Sequence, residues 1–250
     1  MNEVELSLRR GQMGRSARTL LGLGPHSVQD QGPGYWVALS GAPSPELNMA
    51  LVASAEPAAI ATTLRKVEES GYPTLFMLAG SPRHSELGAP WQHVGDMPFM
   101  ASAMSEEHLT RDQRVRRATA DDFDAVSELL GSSFGLAREL SDLMAGLVKF
   151  EETVGTIWLL VEDDTPVSTV LTSVVDDTVC VWCMATPQRF TRRGYGRAIL
   201  ADVLLRAKLE GASIGLLGAT PAGKALYDST GWTTLEDWRM FLKPDAASAH

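Results

Sequence analysis

The spacing of apolar residues divides the chain into two stretches. Up to Ser105, short apolar runs at Trp36 to Ser40, Met49 to Ser54 and Thr74 to Leu78 are separated by turn clusters: Gly32-Pro33-Gly34, Gly41-Ala42-Pro43-Ser44-Pro45, Ser81-Pro82 and Ala89-Pro90. Runs of this length between such clusters predict strands joined by turns. One interval differs. Ile60, Leu64 and Val67 recur at helical spacing and predict a helix from Glu56 to Ser70, stopped by Gly71. The polar stretch Ser105 to Gln113 has no apolar period and reads as a linker.

After the linker, strand and helix patterns alternate. Val115 to Arg117 is a short strand, and Thr119 caps a helix whose first turn holds Asp121 and Asp122 and whose stripe is Phe123, Val126, Leu129 and Leu130. A second helix is expected over Ala137 to Val148. Strands follow at Thr156 to Val161, Val167 to Val174 and Val179 to Ala185. A long helix then runs to about Glu210, with Leu200, Val203, Leu204 and Ala207 on one face. Ser213 to Leu217, Ala222 to Ser229 and Trp238 to Leu242 read as strand, helix and strand, and 244–250 as a tail.

Composition narrows the class. With 250 residues and 44% hydrophobic content, the chain can bury one large core or two small ones. No apolar run reaches the roughly 18 residues of a membrane span, and the acidic start lacks the apolar segment of a secretory signal. Two cysteines cannot build a disulfide framework. A cytoplasmic protein that does not bind membranes is expected. The net charge of -9 argues against a general nucleic-acid binder and tolerates a cationic ligand such as an amine.

The chemistry concentrates in Thr186-Pro187-Gln188-Arg189-Phe190-Thr191-Arg192-Arg193-Gly194-Tyr195-Gly196-Arg197, between an apolar strand and an amphipathic helix. Amide N–H groups at a helix start lack intrahelical partners, and the helix dipole favours an anion there. Gly194 and Gly196 admit a bulky phosphate, and Arg189, Arg192, Arg193 and Arg197 supply charge. A P-loop would need Gly-Lys-Ser/Thr, and a dinucleotide loop would need glycine or alanine at Ile199. Among nucleotide readings a diphosphate held by backbone amides without a metal remains, beside a plain tight strand-to-helix turn with solvated arginines.

Thr191-Arg192-Arg193-Gly194-Tyr195-Gly196 resembles the acetyl-CoA loop of the GCN5-related N-acetyltransferases, Gln/Arg-x-x-Gly-x-Gly/Ala, departing at the first position, Thr191. Downstream, Leu226-Tyr227 followed by Gly231-Trp232 is similar to that family's Leu-Tyr and Gly-Phe marks. The resemblance implies an α/β (α+β) fold: a mixed, mostly antiparallel sheet flanked by helices, with the transferase domain at 113–243. It also implies acetyl-CoA as cosubstrate, no metal, and direct attack by a primary amine of a small molecule or peptide, with a homodimer left open. The cofactor-binding residues implied are Met184, Ala185 and Thr186 along the strand and Thr191, Arg192, Arg193, Gly194, Tyr195, Gly196 and Arg197 in the loop. Tyr227 matches the tyrosine that protonates the leaving thiolate. No carboxylate lies in Val179 to Met184. Glu139, Asp142, Glu151 and Glu152 are the nearer candidates for a general base, and Asp176 and Asp177 the poorer ones. The alternative is a CoA-binding sensor or partner-binding module without catalysis, and transfer of a longer acyl group is a third reading.

Other residues carry less. Cys180 and Cys183, three apart on a strand, face opposite sides and cannot grip one metal together. Trp158 and Trp182 are expected in the core. The first stretch, 1–108, looks like a reduced copy of the same fold, as in some two-domain members, on the marks Gly41 to Asn48, Gly71-Tyr72-Pro73 and Asp96 to Met100. No Gly-x-Gly opens a helix between Trp36 and Ser105, so this half is expected to bind no CoA.

Overall fold

The computed structural model describes residues 2–80, 82, 86–149 and 155–244. The tail expected after Pro244, the Ser81-Pro82 turn in part, and the base candidates Glu151 and Glu152 lie outside the described residues. The elements are α1 (Glu3–Leu21), β1 (Val28–Gly32), β2 (Tyr35–Leu39), β3 (Asn48–Val52), α2 (Pro57–Ser70), β4 (Leu75–Leu78), β5 (Gln92–Ser102), β6 (Val115–Arg117), α3 (Phe123–Phe134), α4 (Arg138–Ala145), β7 (Thr156–Glu162), β8 (Thr165–Val175), β9 (Thr178–Ala185), α5 (Tyr195–Leu209), β10 (Ile214–Gly218), α6 (Pro221–Asp228) and β11 (Trp232–Leu242). Among the described residues, no helix is long and apolar enough to cross a membrane.

Two compact units result, and a single cut in the chain does not separate them. One comprises Met1–Met100, Gly218–Pro221 and Thr234–His250, and the other Ala101–Leu217 and Ala222–Thr233. In the first unit the strand order is β1-β2-β3-β4-β11-β5. The pairs β1–β2, β2–β3 and β4–β11 are antiparallel, while β3 and β4 run parallel with α2 as their crossover. Its core gathers Val37, Leu39, Ala50, Val52, Phe76, Leu78, Trp91 and Phe241 beneath Val67 of α2. Phe99 and Trp238 stack at 4.4 Å.

The helix α1 buries Met13, Ala17 and Leu20 at helical spacing, but mixed with polar residues that blur the period in sequence. An Asn2–Glu5 capping box starts it, and its buried face includes Arg10, Gln12, Gly14 and Ser16. Arg10 makes a bidentate pair with Glu236, Nε and Nη2 each 2.7 Å from a carboxylate oxygen. The same carboxylate accepts from Trp238 Nε1 at 2.7 Å and from the Gly80 amide at 3.1 Å. Burial of that guanidinium is met by full hydrogen bonding, as a buried charge requires.

In the second unit the order is β10-β9-β8-β7-β6, antiparallel from β9 to β6 and parallel between β9 and β10. Residues Val167 to Ser173 of β8 are all buried, the mark of a strand covered on both faces, and both α3 and α5 pack on it. Thr119 does cap the first helix, with Asp122 closing a capping box, but through a short 3-10 turn at Ala120–Asp122. The linker is partly ordered: the Asp112 amide donates to the fully buried Asp202 of α5 at 2.9 Å, and Arg206 and Arg111 neutralise that carboxylate.

Candidate active site

The site is built in the second unit where β9 hands over to α5. β10 pairs with β9 only from Thr178 to Cys180, opposite Ile214 to Leu216, and β9 then runs on to Ala185. On its other edge the ladder with β8 slips between Thr169 and Leu171. The cause is a bulge at Cys183, whose φ of 48° is left-handed. Sequence alternation alone could not reveal this bend. Cys180 is fully buried and Cys183 half-buried, and desolvation pushes the Cys183 thiol up to about 12. A neutral thiol of that kind is a poor nucleophile.

Beyond Ala185 the chain makes one 3-10 turn at Gln188–Phe190 and enters α5 through two left-handed residues, Arg192 (φ 62°) and Gly194 (φ 83°). Gly194 is the N-cap, no side chain caps the helix, and its first turn holds no acid. The first helical bond runs from the Ala198 amide to the Gly194 carbonyl at 2.9 Å, so the amides of Tyr195, Gly196 and Arg197 precede the helical ladder. A Cβ on Gly194 would meet nothing within 4 Å: the cradle is open.

Gly196 lies against the strand end. A Cβ there would lie 3.2 Å from Met184 Cε, 3.4 Å from Leu226 Cδ2 and 3.5 Å from Thr186 Oγ1. Its missing side chain brings α5 down onto the end of β9.

The arginines divide into two pairs. Arg189 is engaged by Glu128 at 2.6 Å and lies over the Phe190 ring, and Arg197 donates to Ser229 Oγ at 2.9 Å. Arg192 and Arg193 are exposed and have no ion pair among the described residues. Thr191 turns its hydroxyl back on its own loop, donating to the Gln188 carbonyl at 2.9 Å.

Tyr227, in the last turn of α6, points at the same strand end. It is 8% exposed, its ring sits 5.8 Å from that of Trp232, and its hydroxyl donates to Met184 Sδ at 3.6 Å. Burial, and secondarily Cys183, push the phenol up to about 12. It is a protonated donor at neutral pH whose present acceptor is a sulfur. Met184, Thr186, Gly196 and Tyr227 are thus brought together, while the Ala185 carbonyl is occupied by Ser168 Oγ at 3.0 Å. Sequence reading passed over Ser168. A serine amid the buried residues of β8 was the signal.

The base candidates fare unevenly. Asp142 accepts from Ser127 Oγ and Arg138 Nε, both at 2.6 Å, within the α3–α4 pair. Glu139 is exposed on α4. Asp176 and Asp177 sit in the β8–β9 turn, at the opposite end of β9 from Ala185, where Asp177 accepts from Ser213. Trp158 and Trp182 are half-buried rather than in the core expected of them, and Trp158 Nε1 donates to Thr172 Oγ1 at 2.9 Å under the Arg206 guanidinium.

No protein-family model matches the chain, and no curated protein sequence matches it. Solved structures do. A GCN5-related N-acetyltransferase from Kribbella flavida superposes with a TM-score of 0.67 at 16% identity, covering 95% of this chain and 96% of that one. A functionally unknown conserved protein from Staphylococcus epidermidis gives 0.62 at 13% identity, over 92% and 98% of the two chains. A GNAT-family acetyltransferase structure from Novosphingobium aromaticivorans gives 0.60 at 15%, over 92% and 97%. The chain therefore has the fold of the GCN5-related N-acetyltransferases, a mixed, mostly antiparallel sheet flanked by helices.

Proposed function

We propose that this protein is a member of that family and transfers an acyl group, acetyl in the first instance, from acyl-CoA to a primary amine of a small molecule or peptide. The observation that carries the reading is the open, left-handed entry into α5 beside a splayed strand end that a buried tyrosine hydroxyl faces. A diphosphate fits the free amides of Tyr195, Gly196 and Arg197, with Arg192 and Arg193 as counter-charges. An extended pantetheine arm fits the edge of β9 that β10 leaves unpaired, along Met184 to Thr186.

In the reaction the amine nitrogen attacks the thioester carbonyl. The C–S bond of the tetrahedral adduct breaks as the nitrogen sheds its proton to water or a base. The departing sulfur takes the Tyr227 proton. Burial keeps that phenol protonated at neutral pH, so it has a proton to donate as charge develops on the departing sulfur, and it regains one from water afterwards. A thioester sulfur reaching this place would replace Met184 Sδ as the acceptor of that hydroxyl.

The cofactor unit would be Ala101–Leu217 with Ala222–Thr233, rather than the continuous 113–243 expected from sequence, since the first unit takes Gly218–Pro221 and most of β11. The half at 1–108 would be a degenerate copy that binds no CoA, because Glu56 and Pro57 stand where α5 offers Gly194 and a free amide. Labelled acetyl-CoA with a panel of amines tests the reading: acetyl transfer to any amine supports it. A second reading, a CoA-binding sensor, draws on the inward-turned Thr191 hydroxyl and the carboxylate-free β9. Tight CoA binding with neither transfer nor thioester hydrolysis would select it.

A further inference from the structure

We infer that Ser168 fixes the unpaired edge of β9 through a hydroxyl latch on its last residues, and so sets the strand that would hold the pantetheine arm. This rests on the acyl-CoA reading above. Past Cys180 the register with β10 ends, and the ladder with β8, broken at Cys183, resumes only at the single pair Thr169↔Ala185. One pair is a weak hold on a strand end that must keep its place. Ser168, fully buried and adjacent to Thr169, supplies the second hold. Its Oγ donates to the Ala185 carbonyl at 3.0 Å and lies 2.8 Å from Thr186 Oγ1.

The proton count fixes the direction of both bonds. A serine hydroxyl carries one proton. With that proton on the Ala185 carbonyl, Thr186 donates to Ser168, and the pair forms a relay pulling two consecutive residues toward β8. Because peptide groups alternate between the edges of an extended strand, an Ala185 carbonyl held on the β8 side turns those of its neighbours toward the free edge. Those are the groups an amide-bearing chain would meet. Thr186 Oγ1 is also one of the three atoms around Gly196, so the latch spaces the strand end from the helix start. A buried hydroxyl has a desolvation cost that packing alone would not select, and the described hydrogen bonds of Ser168 Oγ all go to this strand end.

The test uses the full chain and two probes, CoA and its nucleotide fragment 3′-phosphoadenosine 5′-diphosphate, which lacks the pantetheine arm. Ser168→Ala should weaken CoA binding by about tenfold, the equivalent of one hydrogen bond. Binding of the fragment should change by less than about twofold on the same scale. Ser168→Cys, with a weaker donor at the same atom, should fall between wild type and Ser168→Ala. An equal loss for both probes, or a lowered melting temperature with unchanged CoA affinity, would make Ser168 a packing residue and overturn the latch. Wild-type protein that binds neither probe would instead remove the acyl-CoA reading itself.

Discussion

The chain contains the same supersecondary unit twice. In β3–α2–β4 and in β9–α5–β10, a strand antiparallel to its predecessor feeds a crossover helix, of 14 and 15 residues respectively, that returns to a parallel strand. Their helix starts differ. α2 has Glu56 as N-cap and Pro57 in its first turn, which puts a carboxylate at the anion position and deletes one of the amide donors. α5 has left-handed Gly194, no acid in its first turn and the exposed Arg192 and Arg193 nearby. The strands differ too. β3 is paired with β4 through to its last residue, Val52, whereas β9 leaves β10 after Cys180. A single topology is closed in one place and opened in the other by a cap and a bulge. Topology alone therefore assigns no cofactor.

The largest effect that could break this contrast is at the α5 cap. Gly194→Val forces a β-branched residue into φ 83° and should reduce CoA affinity by roughly a hundredfold or more by calorimetry, since the amides would no longer converge. The added side chain has room, so the fold should persist by circular dichroism. Unchanged affinity would remove the loop from the site. Next, Tyr227→Phe should lower turnover by about a hundredfold while moving CoA affinity little, the signature of a general acid. Turnover equal to wild type would end that role. Arg192→Glu imports the acidic start of α2 and should weaken CoA binding by about tenfold, a loss that shrinks with added salt. A salt-independent loss would point to altered loop structure instead.

The smallest effect is on alkaline stability. Cys183 and Tyr227 are both held protonated to about 12 in the folded chain, above the ordinary 9 and 10. Between those values and about 12 the unfolded chain has released protons that the folded chain retains, so stability falls as pH rises. Urea midpoints should decline from pH 9 upward, and less steeply in Cys183→Ala. Parallel declines in the two proteins would show that the thiol does not contribute.

Much of this was legible wherever local chemistry and burial agree. The apolar runs of β7, β8 and β9 and the helical spacing of α2 and α3 came through because each buries a stretch of apolar side chains. Thr119 and Gly71 read as helix boundaries because their side-chain chemistry acts on neighbouring backbone. By contrast, α1 was missed because its apolar residues Met13, Ala17 and Leu20 are mixed with buried polar ones, and the partner of Arg10, Glu236, lies far along the chain. β5 and the early half of β11 were missed, β5 because Gly95 and Pro98 interrupt its pattern and β11 because its first half is largely polar. In the site, the glycines and Tyr227 stood out by motif. The bulge at Cys183 and the Ser168 latch did not, since they arise from how three strands meet.

The placement of β11 bears on how the protein is made. Residues Thr234 to Leu242 fill the gap between β4 and β5 in the first unit, whose strands β1 to β5 all come from residues 28–102. During synthesis those strands leave the ribosome well before residues 234–242, on which the completion of their sheet waits. An early stop codon that spares every residue of the proposed cofactor site would still leave that sheet with two raw edges, an invitation to aggregation.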